Sequence, residues 1–453
     1  MAAQRLSRRG FLQNTIAAGG ATALTALSWS RVLGANEKLR VASVGVAGKG
    51  WEDHTLIAQS PYVDIVALCD VDEGKNHLGK AADKYPQAKR FTDWRRLFEQ
   101  DRTFDAVIVS TPDHMHAPIS LPAMKLGKHV FCQKPLTHTV HEARQMRLAA
   151  DKYHVVTQMG NQIQSHFGYR TAVKLVHDGV IGKVKEVHSW QSGSMFWMLV
   201  DDRPAGADPV PKTLHWDEWL GVAPERPYKE LHNKPLYHPL NWRAWQDFSN
   251  GQLGDFGCHV LDPVFLALGL TAPTTVRAEA PPINREVWTK RSTVSYQFPG
   301  TDRTAGQTLA LTWYDGEGHL PPPEAHGLPK SYKLPAIGSV LIGEKGSLVI
   351  PHFGVLPKLF PTEKFADFKM EKVPSVNHYT SWADACRGEG KTTSPFAYAG
   401  PLTETVLLGT IAIRTPGETL RWDSTRLAIP NSAAANELLT KRYRKGWEPS
   451  WIA

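Results

Sequence analysis

Cysteine is scarce in this 453-residue chain: there are four, at positions 69, 132, 258 and 386, with no paired spacing and no C-x-x-C. That excludes a disulfide-stapled framework and a zinc-ribbon type of metal site. Charge of one sign is lacking too. The formal net charge is +8, but four basic residues fall in the first 35 positions, and without them 48 lysines and arginines face 44 acidic residues. So mild a balance implies no nucleic-acid partner. After the N-terminal segment no apolar run reaches the roughly 18 residues of a membrane span, so no stable span is expected once that segment is removed. There is no internal repeat. What is present is a 42% apolar, 21% charged chain that can bury a substantial core. At roughly 150 residues per domain it has room for two or three domains.

Residues 1–35 carry Arg5, Arg8, Arg9 and Arg31 and no Lys, Asp or Glu. A cationic start, a short Ala/Gly/Thr-rich stretch from Thr15 to Leu27 and small residues at Gly34-Ala35 predict a signal peptide. Ser7-Arg8-Arg9-Gly10-Phe11-Leu12 resembles a twin-arginine signal, which predicts export of the folded protein to a periplasmic or other extracytoplasmic location.

From Leu39 the chain alternates short apolar runs with helical spacing. The runs are Leu39–Ala47, Val63–Val71, Ala88–Phe91, Ala106–Thr111, His129–Cys132 and Val155–Met159. Between them lie helical patterns such as Trp51–Gln59, Ile119–Leu126 and His141–Lys152. This alternation predicts an α/β fold with a doubly wound parallel sheet over residues 36–158. After Gly160 the texture changes. Residues 190–245 hold tryptophans at 190, 197, 216, 219, 242 and 245 with little periodicity. Most are expected in packing, and one or two in a ligand cleft, since Trp offers a flat apolar face and one donor. Strand-like runs follow at Thr275–Ala280, Thr293–Phe298, Thr308–Trp313 and Ser339–Ile350, with helical patterns at Tyr379–Cys386, Pro401–Arg414 and Ala433–Tyr443. These predict an α+β domain over 159–430 with an open, mostly antiparallel sheet, and a C-terminal helix and tail over 431–453. The basic run Lys441–Lys445 suits a helix C-terminus electrostatically.

Four clusters carry chemistry. Gly45-Val46-Ala47-Gly48-Lys49-Gly50 ends the first strand and opens a helix, a turn whose backbone amides can approach a pyrophosphate. Asp70, 20 residues after Gly50 and at the end of the second strand, can accept both ribose hydroxyls of a dinucleotide and would repel a 2′-phosphate. That favours NAD over NADP. Thr111-Pro112-Asp113-His114-Met115-His116 and Gln133-Lys134-Pro135 each follow a strand at the carboxyl edge of the sheet, where ligands bind. A lysine there can favour a developing alkoxide, or it is simply solvated. In Gly254-Asp255-Phe256-Gly257-Cys258-His259, Asp255 and His259 share a helix face at i and i+4. They form either a structural pair or a general base with its tautomer fixed by the carboxylate. Cys258-His259 as metal ligands is a weaker alternative, and no metal site is assigned.

In this order, the glycine turn, the Thr111–His116 turn, Gln133-Lys134-Pro135 and Asp255-x-x-x-His259 resemble the Gfo/Idh/MocA oxidoreductases. Tyr237-His238-Pro239-Leu240-Asn241-Trp242-Arg243 and Tyr443-Arg444-Lys445-Gly446-Trp447 resemble their exported, twin-arginine branch. The resemblance implies a dinucleotide-binding Rossmann domain joined to an open-sheet domain, with the substrate between them. It implies Lys134, Asp255 and His259 as the catalytic set: His259 takes a hydroxyl proton, Asp255 orients it and Lys134 polarises the oxygen. It further implies a cofactor site of Gly45, Ala47, Gly48, Lys49, Gly50, Asp70, Thr111, Pro112, Asp113, His116, Gln133 and Lys134, and a substrate site that adds Asn161, Trp242 and Arg243 to the catalytic set. The family's usual E-K-P is Gln133-Lys134-Pro135 here, which removes a carboxylate beside Lys134.

The expected activity is hydride exchange between NAD and a CH–OH group of a sugar, polyol or glycoside. Export favours a tightly bound cofactor restored in place. An NAD-dependent glycosidase working by transient oxidation, elimination and re-reduction is the alternative, and a non-catalytic sugar-binding protein is the alternative from another class. A homo-oligomer is expected by family analogy.

Overall fold

The computed structural model describes residues 37–195, 198–282 and 284–448; residues 1–35, where a signal peptide is expected, and Trp197 lie outside them. The first sheet comprises β1 (Leu39–Val44), β2 (Val63–Cys69), β3 (Lys89–Phe91), β4 (Ala106–Val109), β5 (His129–Cys132) and β6 (Thr157–Met159). All pairs are parallel and the order is β3-β2-β1-β4-β5-β6. β4 reads Ala-Val-Ile-Val and is wholly buried, as a parallel strand covered by helices on both faces must be. The order reverses between β1 and β4, so a crevice opens at their carboxyl ends. Every strand expected before residue 160 is present, each within two residues of the sequence boundaries except β1, which stops three residues earlier.

The second sheet has eight strands: β7 (Val184–Gln191) and, beyond a small hairpin of β8 (Glu230–Leu231) and β9 (Lys234–Pro235), β10 (Thr275–Glu279), β11 (Ser292–Pro299), β12 (Thr308–Asp315), β13 (Ile337–Gly343), β14 (Ser347–Pro351), β15 (Lys358–Phe360) and β16 (Thr419–Arg421). Its order is β15-β14-β13-β7-β12-β11-β10-β16, antiparallel except for β7 against β12. β11 shows why one face is open. Val294, Tyr296 and Phe298 are buried, while Ser295, Gln297 and Pro299 between them are exposed. The single run expected over Ser339–Ile350 is two strands paired as a hairpin.

The chain returns to the first domain after β15, before β16 completes the second sheet. Tyr379, Trp382, Ala383 and Cys386 of the helix Thr380–Cys386 and its entry pack in one core with Leu39, Val41 and Ile57. The helix Phe396–Arg414 then crosses the interface, where Glu404 takes a two-pronged ion pair from Arg144 of the helix Val140–Lys152 at 2.7 and 2.8 Å. By length and composition this helix could span a membrane, but its apolar window is 83% buried in the protein. The terminal helix is only Ala433–Glu437, so the following basic run does not cap it. Instead Lys441 reaches the fully buried Glu142 at 2.9 Å, and Tyr443 donates to the same carboxylate at 2.7 Å. The tail is a strap across the first domain.

Many polar groups are buried. Burial holds His54, His116 and His378 near pKa 4, His114 and His352 near 3, and His138 and His259 well below the usual imidazole range. Burial also pushes Asp113 and Asp262 up to about 7 and Asp315 to about 6, and raises Asp53. As pH falls through 6.5 the unfolded chain takes up protons on these seven imidazoles that the folded chain refuses, so stability is lost. Asp113, Asp262 and Asp315, which hold their protons to higher pH in the folded chain than in the unfolded one, act in the opposite direction. The imidazoles outnumber the raised carboxyls, so the net effect of acidification is a loss of stability. The urea midpoint is therefore expected to drop between pH 7 and pH 5; a midpoint that holds or rises would contradict this.

Candidate active site

A cavity of about 560 Å³ runs between the domains from Asp70, Thr92, Asp93 and Trp94 at one end to Lys134, Asp255 and His259 at the other. Its floor is the turn after β1. Gly45 has φ +77°, and a Cβ there would sit 2.6 Å from the Ser110 carbonyl oxygen. Gly50 does not line the cavity. A Cβ on it would lie 1.9 Å from the Gly45 carbonyl oxygen, so its role is to let the helix Lys49–Ile57 close on the turn. Ala47, Gly48 and Lys49 line the cavity. The Asp70 carboxylate accepts from the Val46 amide at 2.9 Å and the Asp72 amide at 3.0 Å, which fixes it at the rim while lone pairs remain for further donors.

Beneath the turn lies a group that sequence reasoning missed. Asp53 is fully buried and accepts from Lys49 Nζ at 2.7 Å, the Ser110 hydroxyl at 2.7 Å and the Gln133 amide at 2.8 Å. Lys49 also donates to the Tyr379 hydroxyl at 2.9 Å, and Tyr379 donates to Glu52 at 3.0 Å. Burial opposes a charge on Lys49, but Asp53 and Tyr379 outweigh it and raise its pKa. The i, i+4 spacing of Lys49 and Asp53 was the available signal; Tyr379, 330 residues away, had none. The amide in Gln133-Lys134-Pro135 thus meets a carboxylate supplied by another helix.

At the far end Lys134, beyond β5, donates to Asp255 Oδ1 at 2.6 Å and to the Asp255 carbonyl oxygen at 2.7 Å. Arg243 Nε approaches the same Oδ1 at 3.4 Å. Burial opposes ionisation of Asp255, yet Lys134 and Arg243 hold it below the usual carboxylate range. This corrects one expectation: Asp255 does not orient His259. Both line the cavity from the helix Gly251–Val260, but the carboxylate is engaged by the two cations, and His259 Nδ1 is buried without a partner. Burial first, then the Lys134 charge, keeps the imidazole neutral. The Cys258 thiol packs against the Thr403 hydroxyl in the core, and among the described residues it belongs to no group of three metal ligands.

Asp113 lines the cavity and accepts from the Asn250 backbone and side-chain amides at 3.1 and 3.2 Å. Burial, then the Asp255 charge, pushes it up to about 7. Thr111 and Pro112 line the cavity too. His116 does not. Its ring nitrogens sit 2.8 Å from the Pro135 and Thr111 carbonyl oxygens, so it braces the two loops rather than meeting a ligand. Asn161 is also displaced from expectation: it is fully buried behind the wall, and the neighbouring Gln162 lines the cavity. Trp242 and Arg243 are in place, joined by Trp219, while Trp190 and Trp245 belong to packing.

The residues fit a dinucleotide: a turn with no room for a side chain at Gly45 or Gly50, a helix start, an anchored carboxylate for a diol, and a buried Thr111 hydroxyl with no partner among the described residues. Gln133→Glu would set a second carboxylate against Asp53. We expect it to cost about 1–3 kcal/mol at pH 8 relative to the natural chain, and less at pH 5, where one of the pair can protonate. Urea midpoints at the two pH values check this, and equal stability at pH 8 would contradict it.

Two family profiles match the chain. One, described as an oxidoreductase family with an NAD-binding Rossmann fold, covers residues 39–161; the other, an oxidoreductase C-terminal alpha/beta domain, covers 168–303. Among curated relatives, a levoglucosan dehydrogenase of Pseudarthrobacter phenanthrenivorans is 30% identical over 40% of this chain and 37% of its own. A 2,7-anhydro-N-acetylneuraminate hydratase of Mediterraneibacter gnavus is 28% identical over 36% and 44%. An alpha-N-acetylgalactosaminidase of Shewanella oneidensis is 28% identical over 36% and 37%. The chain thus spans less than half the length of each. The fold matches the WlbA dehydrogenase of Bordetella pertussis, solved with NADH and UDP-GlcNAcA, at a TM-score of 0.59 and 15% identity over 85% of this chain and 99% of that one. With both profiles placed on the two domains around one cleft, the chain belongs to the Gfo/Idh/MocA family of oxidoreductases.

Proposed function

We propose that this protein is an NAD-dependent oxidoreductase acting on a CH–OH group of a sugar, polyol or glycoside. The observation that carries the proposal is the placement of Lys134, Asp255 and His259 on one wall of the cavity whose other end holds the Gly45 turn and Asp70. A nicotinamide cofactor bound there supplies the hydride acceptor. Gly45, Ala47, Gly48, Asp70, Thr111 and Gln133 are the residues that would hold it, and the anchored Asp70 carboxylate supports NAD over NADP.

Lys134 has three N–H donors and two of them are used by Asp255, which leaves one for a substrate oxygen. An ammonium at that oxygen stabilises the negative charge that develops when the hydroxyl loses its proton. His259 is the acceptor for that proton. Its neutral form is the competent one, and Nε2 is the nitrogen not sealed in the protein. Asp255 acts through Lys134, and Trp242 and Trp219 add apolar surface to the cavity wall.

The second reading is a closed redox cycle in which the cofactor ends as it began, as in an NAD-dependent glycosidase. The relatives named as a hydratase and a glycosidase fit this alternative. Export supports the same reading, because a cofactor carried outside the cytoplasm must be regenerated in place. The twin-arginine pattern at Ser7–Leu12 carries the export proposal. A homo-oligomer formed through the open face of the second sheet, where Arg277, Glu279, Ser295 and Gln297 are exposed, completes it.

Denaturing the purified protein and identifying the released small molecule by mass and absorbance tests the cofactor. Near-stoichiometric NAD or NADH is expected; a chain that neither carries nor binds NAD would leave only a sugar-binding protein. Screens of glycosides for cleavage and of sugar pairs for exchange then separate the two cycles. On the substrate found, Lys134→Met and His259→Asn are each expected to lower kcat at least 100-fold while NAD content stays near that of the natural chain. Unchanged turnover in Lys134→Met would refute the assignment.

A further inference from the structure

Outside the catalytic end of the cleft, one cluster among the described residues brings three potential metal ligands together: Asp72, His77 and His238. Asp72 Oδ2 lies 3.0 Å from His238 Nε2 and 3.6 Å from His77 Nε2, and all three ligand atoms fall within 4.8 Å of one another. A zinc ion bound at about 2.0–2.2 Å in tetrahedral geometry sets its ligand atoms about 3.3–3.6 Å apart, so small side-chain shifts suffice. None of the three is a surface group. Their side chains are 12%, 18% and 15% exposed. The carboxylate is oriented from behind, since Asp72 Oδ1 accepts from the Gly74 amide at 2.8 Å and the Thr213 hydroxyl also donates to Asp72. Such outer contacts are what fix a metal-binding carboxylate.

The place in the fold gives the cluster a consequence. Asp72 and His77 lie in the loop after β2, directly beyond Asp70, whose Oδ1 holds the Asp72 amide. His238 comes from the tryptophan-rich excursion of the other domain, 166 residues later. His77 and His238 both line the cavity, so a fourth position is open to water. We propose that Asp72, His77 and His238 form a binding site for a divalent ion of the zinc class, which staples the two domains over the Asp70 end of the cleft. Two imidazoles and one carboxylate suit zinc and its neighbours rather than magnesium or calcium, which take oxygen ligands. The site stands on these three side chains and is independent of what binds at Asp70.

The test uses the full mature chain without an affinity tag, stripped with EDTA and titrated with zinc sulfate by calorimetry. One equivalent is expected to bind. His77→Ala and His238→Ala are each expected to weaken it at least tenfold. His215→Ala, at the exposed neighbouring histidine that pairs with Glu73, is expected to leave it unchanged. No binding by the natural chain, or binding that survives both replacements, would overturn the proposal. Should an alanine variant fail to fold, X-ray absorption of the zinc-loaded natural chain decides: two imidazoles with oxygen ligands support the site, and sulfur ligation or no imidazole overturns it.

Discussion

The contact between Lys134 and Asp255 is the constraint on which the site depends. It is an ion pair at 2.6 Å, mostly shielded from water, between a strand end of the first domain and a helix of the second. Removing one partner of such a pair typically costs about 3–5 kcal/mol, because the other charge stays buried. The pair therefore sets the relative position of the two domains at the very point where substrate chemistry is proposed. It also explains the state of His259. With Asp255 claimed by Lys134 and Arg243, the imidazole has no carboxylate to raise its basicity, and burial beside a cation keeps it neutral.

The other end of the cleft is organised by a second buried charge. Asp53 gathers Lys49, Ser110 and Gln133, three residues on the turn, on the end of β4 and on the end of β5. The Gln in place of the family's Glu thus belongs to an arrangement in which the anion sits one layer deeper. Around both ends, Arg144–Glu404 and Lys441–Glu142 tie the helix Val140–Lys152 to the later parts of the chain. The cleft is a seam held at several charged points rather than a loose hinge.

Much of the first domain was legible because parallel strands buried on both faces read as unbroken apolar runs. The second sheet was legible only in part. Its central strand β7, Val-Lys-Glu-Val-His-Ser-Trp-Gln, hides its burial behind polar side chains that find partners, as His188 does with Tyr314 and Ser189 with Ser339. Spacing placed Asp255 and His259 on one face correctly, but a shared face does not name a partner, and the carboxylate went to a lysine 121 residues away. Tyr379 beside Lys49, and His238 beside Asp72, were out of reach for the same reason: nothing local marks a pair closed by the tertiary fold. His116 was misplaced because a histidine in a ligand-edge turn and one bracing two carbonyls look alike in sequence.

The central claim is that one cleft holds a dinucleotide with its reactive end at Lys134 and His259. A crystal structure of the protein with NAD bound tests it most directly. The adenosine ribose is expected on Asp70, the pyrophosphate over the turn at Gly45, and the nicotinamide ring beside Gln133, within reach of Lys134 and His259. A dinucleotide bound in reverse, or with its nicotinamide turned away from those two side chains, would contradict it.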